Sequence, residues 1–377
     1  KLSMIKGVGI ECLKIHSINQ TTVQTSNIFY NYAAQCWISG VESYQCNFAH
    51  ISLNNSTNLS IRNSYFHDAF DYGGGGQGYG VVCQATSGES LIENNIFKHL
   101  RHSILVQSGA NGNVFGYNYS FDTYWTEPQL PSNSAGDIVL HGNYPYANLF
   151  EGNIVQNIVI DDSHGENGPF NTFFRNRAEL YGIFMNNNPA SNNQNFIGNE
   201  VTNTGFLLGL FVINGIGHFQ YGNNIKGTII PLGTNSLEDN SYYFSVLPDF
   251  LQSIANWPLI GIPNPINSRT IPAKERYLSS NYTICTSIPI SVNQKNHTNQ
   301  LRIFPNPSTG YIYLQDFKNS NKLTNVLIYD YVGSLVGCFT LTSPLQPIDL
   351  SSYSKGFYLI KVETEGKNYL SSKLIIQ

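Results

Sequence analysis

Along residues 5–230 the apolar positions come in short runs broken by Asn, Gly and Ser. No stretch keeps the i, i+3, i+4 spacing of an amphipathic helix, so the pattern predicts strands joined by tight turns. The runs also repeat. The segments "LSIRNSYF", "LIENNIF", "VFGYNYSF", "LFEGNIV", "TFFRNRA", "NFIGNEV" and "FQYGNNI" carry Asn at one common point: Asn63, Asn95, Asn118, Asn153, Asn176, Asn199 and Asn223. The intervals are 32, 23, 35, 23, 23 and 24 residues. Two earlier segments, "KIHSI" and "WISGV", place Ser17 and Gly40 at the same point, again 23 apart. Nine coils of one basic length are predicted, two of them lengthened by insertions. One coil of strands cannot bury its own apolar face, but stacked coils bury a continuous column. Phe115, Phe150, Phe173 and Phe196, each three residues before the repeated Asn, are expected to stack in that column. The Asn residues are expected to form a ladder of side-chain amides, with a second ladder at Asn58, Asn113, Asn148 and Asn171.

This pattern resembles the pectin-lyase-like superfamily of right-handed parallel β-helices, and the resemblance covers roughly residues 5–230. It implies an all-β solenoid over 1–230. It implies no particular activity, because that fold carries lyases, hydrolases, adhesins and phage tailspikes.

From residue 300 the pattern changes to alternating strands split by Gly, Asn and Ser, which predicts a small antiparallel Ig-like sandwich over 300–377. Three stretches, "FPNPSTG" (304–310), "YDYVGSLV" (329–336) and "SYSKGFYLIKV" (352–362), closely resemble the type A C-terminal sorting domain of the type IX secretion system of Bacteroidetes. The resemblance implies export across the outer membrane, to the cell surface or the medium, with the secretion machinery as a partner. Residues 231–299 are rich in Pro and Ile and read as a cap over the last coil followed by a linker, with Phe250 and Trp257 as anchors.

Only 12% of residues are charged and the net charge is -4, which argues against a nucleic-acid partner. No apolar run approaches the ~18 residues that would span a bilayer. The six cysteines show no metal-ligand spacing; in an exported protein Cys12, Cys36, Cys46 and Cys83 would include a disulfide, with buried free thiols as the alternative. A monomer is expected. Lys1 begins inside the patterned region, so a preceding segment is expected to have been removed.

The chemistry gathers around "DIVLHGN" (137–143) and "DDSHG" (161–165). His141 lies twelve residues before Asn153 and His164 twelve before Asn176, so the two histidines share a phase on adjacent coils about 4.8 Å apart. If Ile138 and Leu140 point inward, strand alternation turns Asp137, Val139 and His141 outward. The same phase turns Asp162 and His164 outward and leaves Asp161 inward or at a bend. His102 falls in phase with Asp137, although a slip of one would set Gln107 beneath His141. Asn187 continues the histidine position, and Arg101 supplies a nearby cation. Insertions in solenoids become loops on the binding face. Those between Asn63 and Asn95 and between Asn118 and Asn153 bring Phe70, Tyr72, Tyr124, Trp125, Tyr144 and Tyr146 as sugar-stacking rings. The expected result is a polysaccharide groove.

Hydrolysis of a glycosidic bond needs two carboxyl groups about 5–9.5 Å apart, which Asp137 and Asp162 would provide. A lyase needs instead a base, here His141 or His164, and a cation such as Arg101, Arg175 or Arg177 to neutralise a uronate. Residues 1–230 hold 9 Lys and Arg against 15 Asp and Glu, which disfavours an anionic substrate unless Ca²⁺ bridges it and sets hydrolysis slightly ahead. Two His and two Asp on adjacent coils could also hold a divalent metal. Glu93 and Glu151 share one phase and read as solvated. The reading from another class is a surface protein that binds glycan without turnover.

Overall fold

A computed structural model describes residues 4–186, 191–252, 254–285, 301–315, 324–330, 333–343, 346–364 and 368–377. The chain divides into two compact units, Lys1–Thr286 and Ser287–Gln377. The first is a parallel β-solenoid of about nine coils with three faces. One face is a nine-stranded sheet running from Gly9–Glu11 to Phe219–Tyr221. A second sheet of sixteen strands wraps the other two faces.

The core is a consequence of the repeat. The rings of Phe115, Phe150, Phe173 and Phe196 stack with centroids 4.9, 4.8 and 5.3 Å apart, close to the spacing of the coils. The asparagines form the expected ladder. Asn153 Oδ1 accepts from the backbone N–H and the side-chain amide of Asn118, both at 3.0 Å, while its own Nδ2 donates to Phe115 O at 2.8 Å and Asn176 Oδ1 at 2.9 Å. Each buried amide therefore satisfies a turn in its neighbour, which is why the type recurs. Three assignments shift. Ser64, not Asn63, takes the ladder position beside Asn95, and its hydroxyl accepts from Val41 N–H as an amide oxygen would. In the second ladder Leu59, not Asn58, stands beside Ser90. Gly40 stands beside Cys12 rather than Ser17, so the first coil is longer than the repeat.

Seven strands of the third face carry the groove: β1 (Ser26–Asn31), β2 (Ala49–Asn54), β3 (Tyr79–Gln84), β4 (His102–Val106), β5 (Ile138–His141), β6 (Ile154–Asp161) and β7 (Arg177–Met185). β6 and β7 are long because the bend between the second and third faces is shortened there, so one strand crosses both. The core position filled by Ile104 nine residues after Asn95 is filled by Ile158 only five residues after Asn153. The lost length returns in the turn before Asn176. The period remains 23, but the register slides: His141 pairs with Asp161, 20 residues on, not with His164.

The segment expected to cap the last coil does more than that. Residues 231–285 run back along the solenoid to its first coils. Arg175 and Arg177, uronate ligands in the lyase reading of the sequence, are instead buried beneath this strap. Arg175 meets Asp239 Oδ1 at 3.0 Å and donates to the carbonyls of Glu238 and Ile260; Arg177 pairs with Glu200 at 2.6 Å and donates to Arg269 O at 2.6 Å. Further along, the short helix Pro272–Leu278 sends Arg276 to Asn94 O, and Ile284 N–H donates to Asn63 O at 3.0 Å. Cys285 ends the strap in a disulfide with Cys12, Cα atoms 5.3 Å apart, while Cys36, Cys46 and Cys83 are buried thiols. The partner of Cys12 thus comes from the strap and not from the early coils. Glu93 and Glu151 are likewise buried rather than solvated: the strap reaches Glu151, which accepts from Tyr117 Oη at 2.5 Å and Tyr242 N–H at 2.8 Å.

The second unit has two antiparallel sheets, Arg302–Phe304 with Tyr311–Gln315 and Ile348–Asp349, and Leu335–Leu341 with Thr324–Tyr329, Gly356–Thr364 and Asn368–Ile376. Alternate residues Ile312, Val326, Ile328, Ile360 and Leu374 form its core. The linker residues 286–299 lie outside the described residues.

Candidate functional site

The outer surface of β1–β7 floors a groove of about 1140 Å³. Pairing fixes its columns. Asn54, Gln84, Gln107, His141, Asp161 and Asn186 stand in line along one side. Two residues back runs a second column, apolar on β4–β7 with Leu105, Val139, Val159 and Phe184 and interrupted on β2 by Ser52. Gln107 therefore lies beneath His141, the alternative register of the sequence reading.

The slide at β6 reverses the expected roles of the acidic pair. Ile158 and Ile160 enter the core, and Asp161 faces the groove. Its Oδ2 lies 2.6 Å from His141 Nδ1 and accepts from Ser163 Oγ at 2.8 Å; its Oδ1 accepts from Ser163 N–H at 2.9 Å and Asn186 Nδ2 at 3.0 Å. Burial by itself raises the pKa of this carboxyl. The close contact with His141 and the Ser163 donors outweigh it and hold the carboxyl well below the usual carboxylate range. Asp162 turns away, is 9% exposed and does not line the groove. Its carbonyl accepts from Gly165 N–H at 2.9 Å, closing the turn that carries His164 back toward β5. The expected neighbours meet: the rings of His141 and His164 are 4.5 Å apart, and His164 Nδ1 is 3.1 Å from Ser163 Oγ.

Asp137, outward by strand alternation, does not line the groove. It is fully buried at the corner between faces, where Oδ1 accepts from Ser120 Oγ at 2.5 Å and Oδ2 from the N–H groups of Gln156 (3.0 Å) and Asn157 (2.7 Å). Burial pushes its pKa up to about 7 against those bonds. Its work is to close the shortened bend. The expected carboxylate pair Asp137 and Asp162 is therefore not brought together in the groove. Among the described residues Asp161 is the one carboxylate in the lining.

His102 lies level with Gly136, one residue off the expected phase. Its Nδ1 is 2.8 Å from Gly136 O, and its ring stacks on Tyr79 at 5.2 Å and lies 6.0 Å from His141. Burial, helped by the charge of Arg101, pushes its pKa down to about 3, so it is neutral. Arg101 does reach the groove. It donates from Nη1 to Gly73 O at 2.5 Å and lies 5.8 Å from the ring centre of Tyr79 and 5.9 Å from that of Trp125, tying both insertion loops to the floor.

Of the expected stacking rings, Trp125 lines the groove. Tyr72 and Tyr124 pack on each other and on His99 behind it. Tyr144 and Tyr146 are exposed on the turn that leaves the third face after Gly142, where Tyr146 bridges to Asn111. Asn187 lies outside the described residues; Asn186 holds the place beside Asp161. Asn186, Ser163 and Tyr79 carry no signal in the sequence, because their roles depend on the slide at β6 and on the fold of the first loop.

No group of three or more His, Cys, Asp or Glu among the described residues is placed to hold a metal ion. No helix among the described residues is long and apolar enough to cross a membrane. No curated protein matches the chain. Residues 302–377 match the secretion system C-terminal sorting domain. The chain is thus an exported protein, carried to the cell surface or secreted by the type IX machinery that engages its sorting domain, and the cargo is a parallel β-solenoid with a long groove on one face.

Proposed function

We propose that the protein is a polysaccharide-cleaving enzyme, acting as a monomer, and that its reaction is β-elimination at a uronate bound across β4–β6. The observation that carries this reading is the commitment of the lone groove carboxylate to His141. A two-carboxyl hydrolase needs a second acid within about 5–9.5 Å, and the lining offers none among the described residues. An elimination needs a base, an acid and a cation. Asp161 fixes His141 through Nδ1 and leaves Nε2 to take the proton at C5. Arg101 pairs with the uronate carboxylate and stabilises the charge that develops there. As the C5–H electrons form the C4–C5 double bond, the C4–O bond breaks. His164, beside His141, returns a proton to the leaving oxygen. The test is product analysis across neutral and acidic polysaccharides. New reducing ends with the ultraviolet absorbance of unsaturated uronates support elimination; reducing ends without it return the assignment to hydrolysis. A second reading, glycan binding without turnover, is favoured by the apolar column Leu105, Val139, Val159 and Phe184, and it requires binding with neither signal.

A further inference from the structure

The groove is longer than one reacting sugar requires. Its lining draws on all seven strands β1–β7. Six steps of about 4.8 Å make a floor roughly 29 Å long, so at about 5 Å per pyranose it holds about six sugars. Over that length Lys and Arg contribute only Arg101 to the described lining, and Asp and Glu only Asp161. Asp161 is already paired with His141. The remaining polar column is amide: Asn54, Gln84 and Gln107 on one side of the His141–Asp161 pair, Asn186 on the other. Amides both donate and accept, which matches hydroxyl groups and provides no countercharge for carboxylates.

A homopolyuronate would bring about one negative charge per coil, each within a Debye length of its nearest neighbours and those over β5–β7 within one of Asp161, against a single guanidinium. We infer that the groove takes a heteroglycan in which one uronate, held by Arg101, is flanked by uncharged sugars, and that homopolyuronates are poor ligands. This rests on the elimination reading for the central sugar. The reaction centre is also off-centre. Four strands, β1–β4, precede His141 and only β7 comes after Asp161, so most of the uncharged residues bind on the β1–β4 side.

The full chain is tested against alginate, a homopolyuronate, and against a panel of heteroglycans with isolated uronates, gellan among them. Binding is read by titration calorimetry and cleavage by unsaturated ends. Heteroglycan binding at least about tenfold tighter than alginate, with a weak dependence on salt, is expected. Gln84→Lys, which adds a cation away from the reacting sugar, should narrow that preference by improving alginate binding. Alginate bound or cleaved as well as the heteroglycans overturns the inference and leaves elimination standing. A heteroglycan preferred in binding but not cleaved overturns elimination and leaves the preference standing. Neither bound nor cleaved overturns both.

Discussion

Replacing Asp161 by Asn isolates the proposed centre with little change in shape. The carboxylate has four donors around it: His141 Nδ1 and Ser163 Oγ on Oδ2, Ser163 N–H and Asn186 Nδ2 on Oδ1. An amide has one oxygen, so two of these sites meet an NH₂ group. If the NH₂ replaces Oδ1, it opposes the Ser163 N–H, which can only donate, and forces the Asn186 amide to flip. If it replaces Oδ2, the Ser163 hydroxyl can rotate to accept, and His141 must present a bare Nδ1. The second arrangement is the less costly. It loses one charge-assisted contact, about 1.5–3 kcal/mol, and moves the His141 proton to Nε2, the nitrogen that has to receive the substrate proton. The expected result is a fall of about 10²–10⁴ in kcat, the range of a positioned general base, with the solenoid intact by circular dichroism and denaturant titration. Because the two residues act as one unit, the double variant Asp161→Asn/His141→Gln should be no slower than His141→Gln alone. Turnover of Asp161→Asn within about threefold of the parent, in a folded protein, would refute the assignment of proton transfer to this pair.

Three further outcomes concern the frame around the groove. Asn153→Ala orphans the buried Asn118 N–H and removes the side-chain donor to Phe115 C=O, which keeps its partner in the strand ladder, and should cost about 1–3 kcal/mol in chemical denaturation; a loss below about 0.5 kcal/mol contradicts the ladder's structural role. Burial pushes the Glu93 carboxyl up to about 7. A raised carboxyl pKa favours the fold while protonated, so its contribution is lost as pH rises from about 4.5 through 7. Glu93→Gln should therefore raise stability at pH 8 by up to about 3 kcal/mol and change nothing at pH 4. The Cys12–Cys285 disulfide closes a loop of 273 residues; Cys285→Ser should lower stability by as much as about 5 kcal/mol and expose the strap to protease before the coils, and equal protection in both forms would deny the strap its anchor.

The fold can be read from the chain because its elements are local and repeated. A stacked Phe and a laddered Asn impose the same residue at the same place in every coil, so the period is visible in a single sequence. The sorting domain is legible for a different reason: its motifs are contiguous. The strap is not, since its anchors Arg175, Arg177 and Arg276 meet backbone carbonyls far away in sequence, and a carbonyl leaves no trace in residue type. The cysteines are visible, but their pairing is not: residue type marks Cys12 without naming Cys285 as its partner.

The site is half legible, and the half that fails shows where its chemistry comes from. Counting from the Asn ladder places His141 and His164 side by side, as they are. It also turns Asp162 outward and Asp161 inward, the reverse of what is found. A period measured on one face reports the sum of three strands and three bends and is blind to a shortened bend repaid by a longer turn. At β6 that exchange happens within one coil. It moves the third-face register by three residues, and a shift by an odd number exchanges the in and out sets of a strand. Asp161 thereby comes beside His141, and Asp137 becomes the buried acceptor that holds the tight bend together. Restoring the ordinary bend would return Asp161 to the core phase and remove the pair, so the departure from the repeat and the proposed catalytic centre are one structural feature.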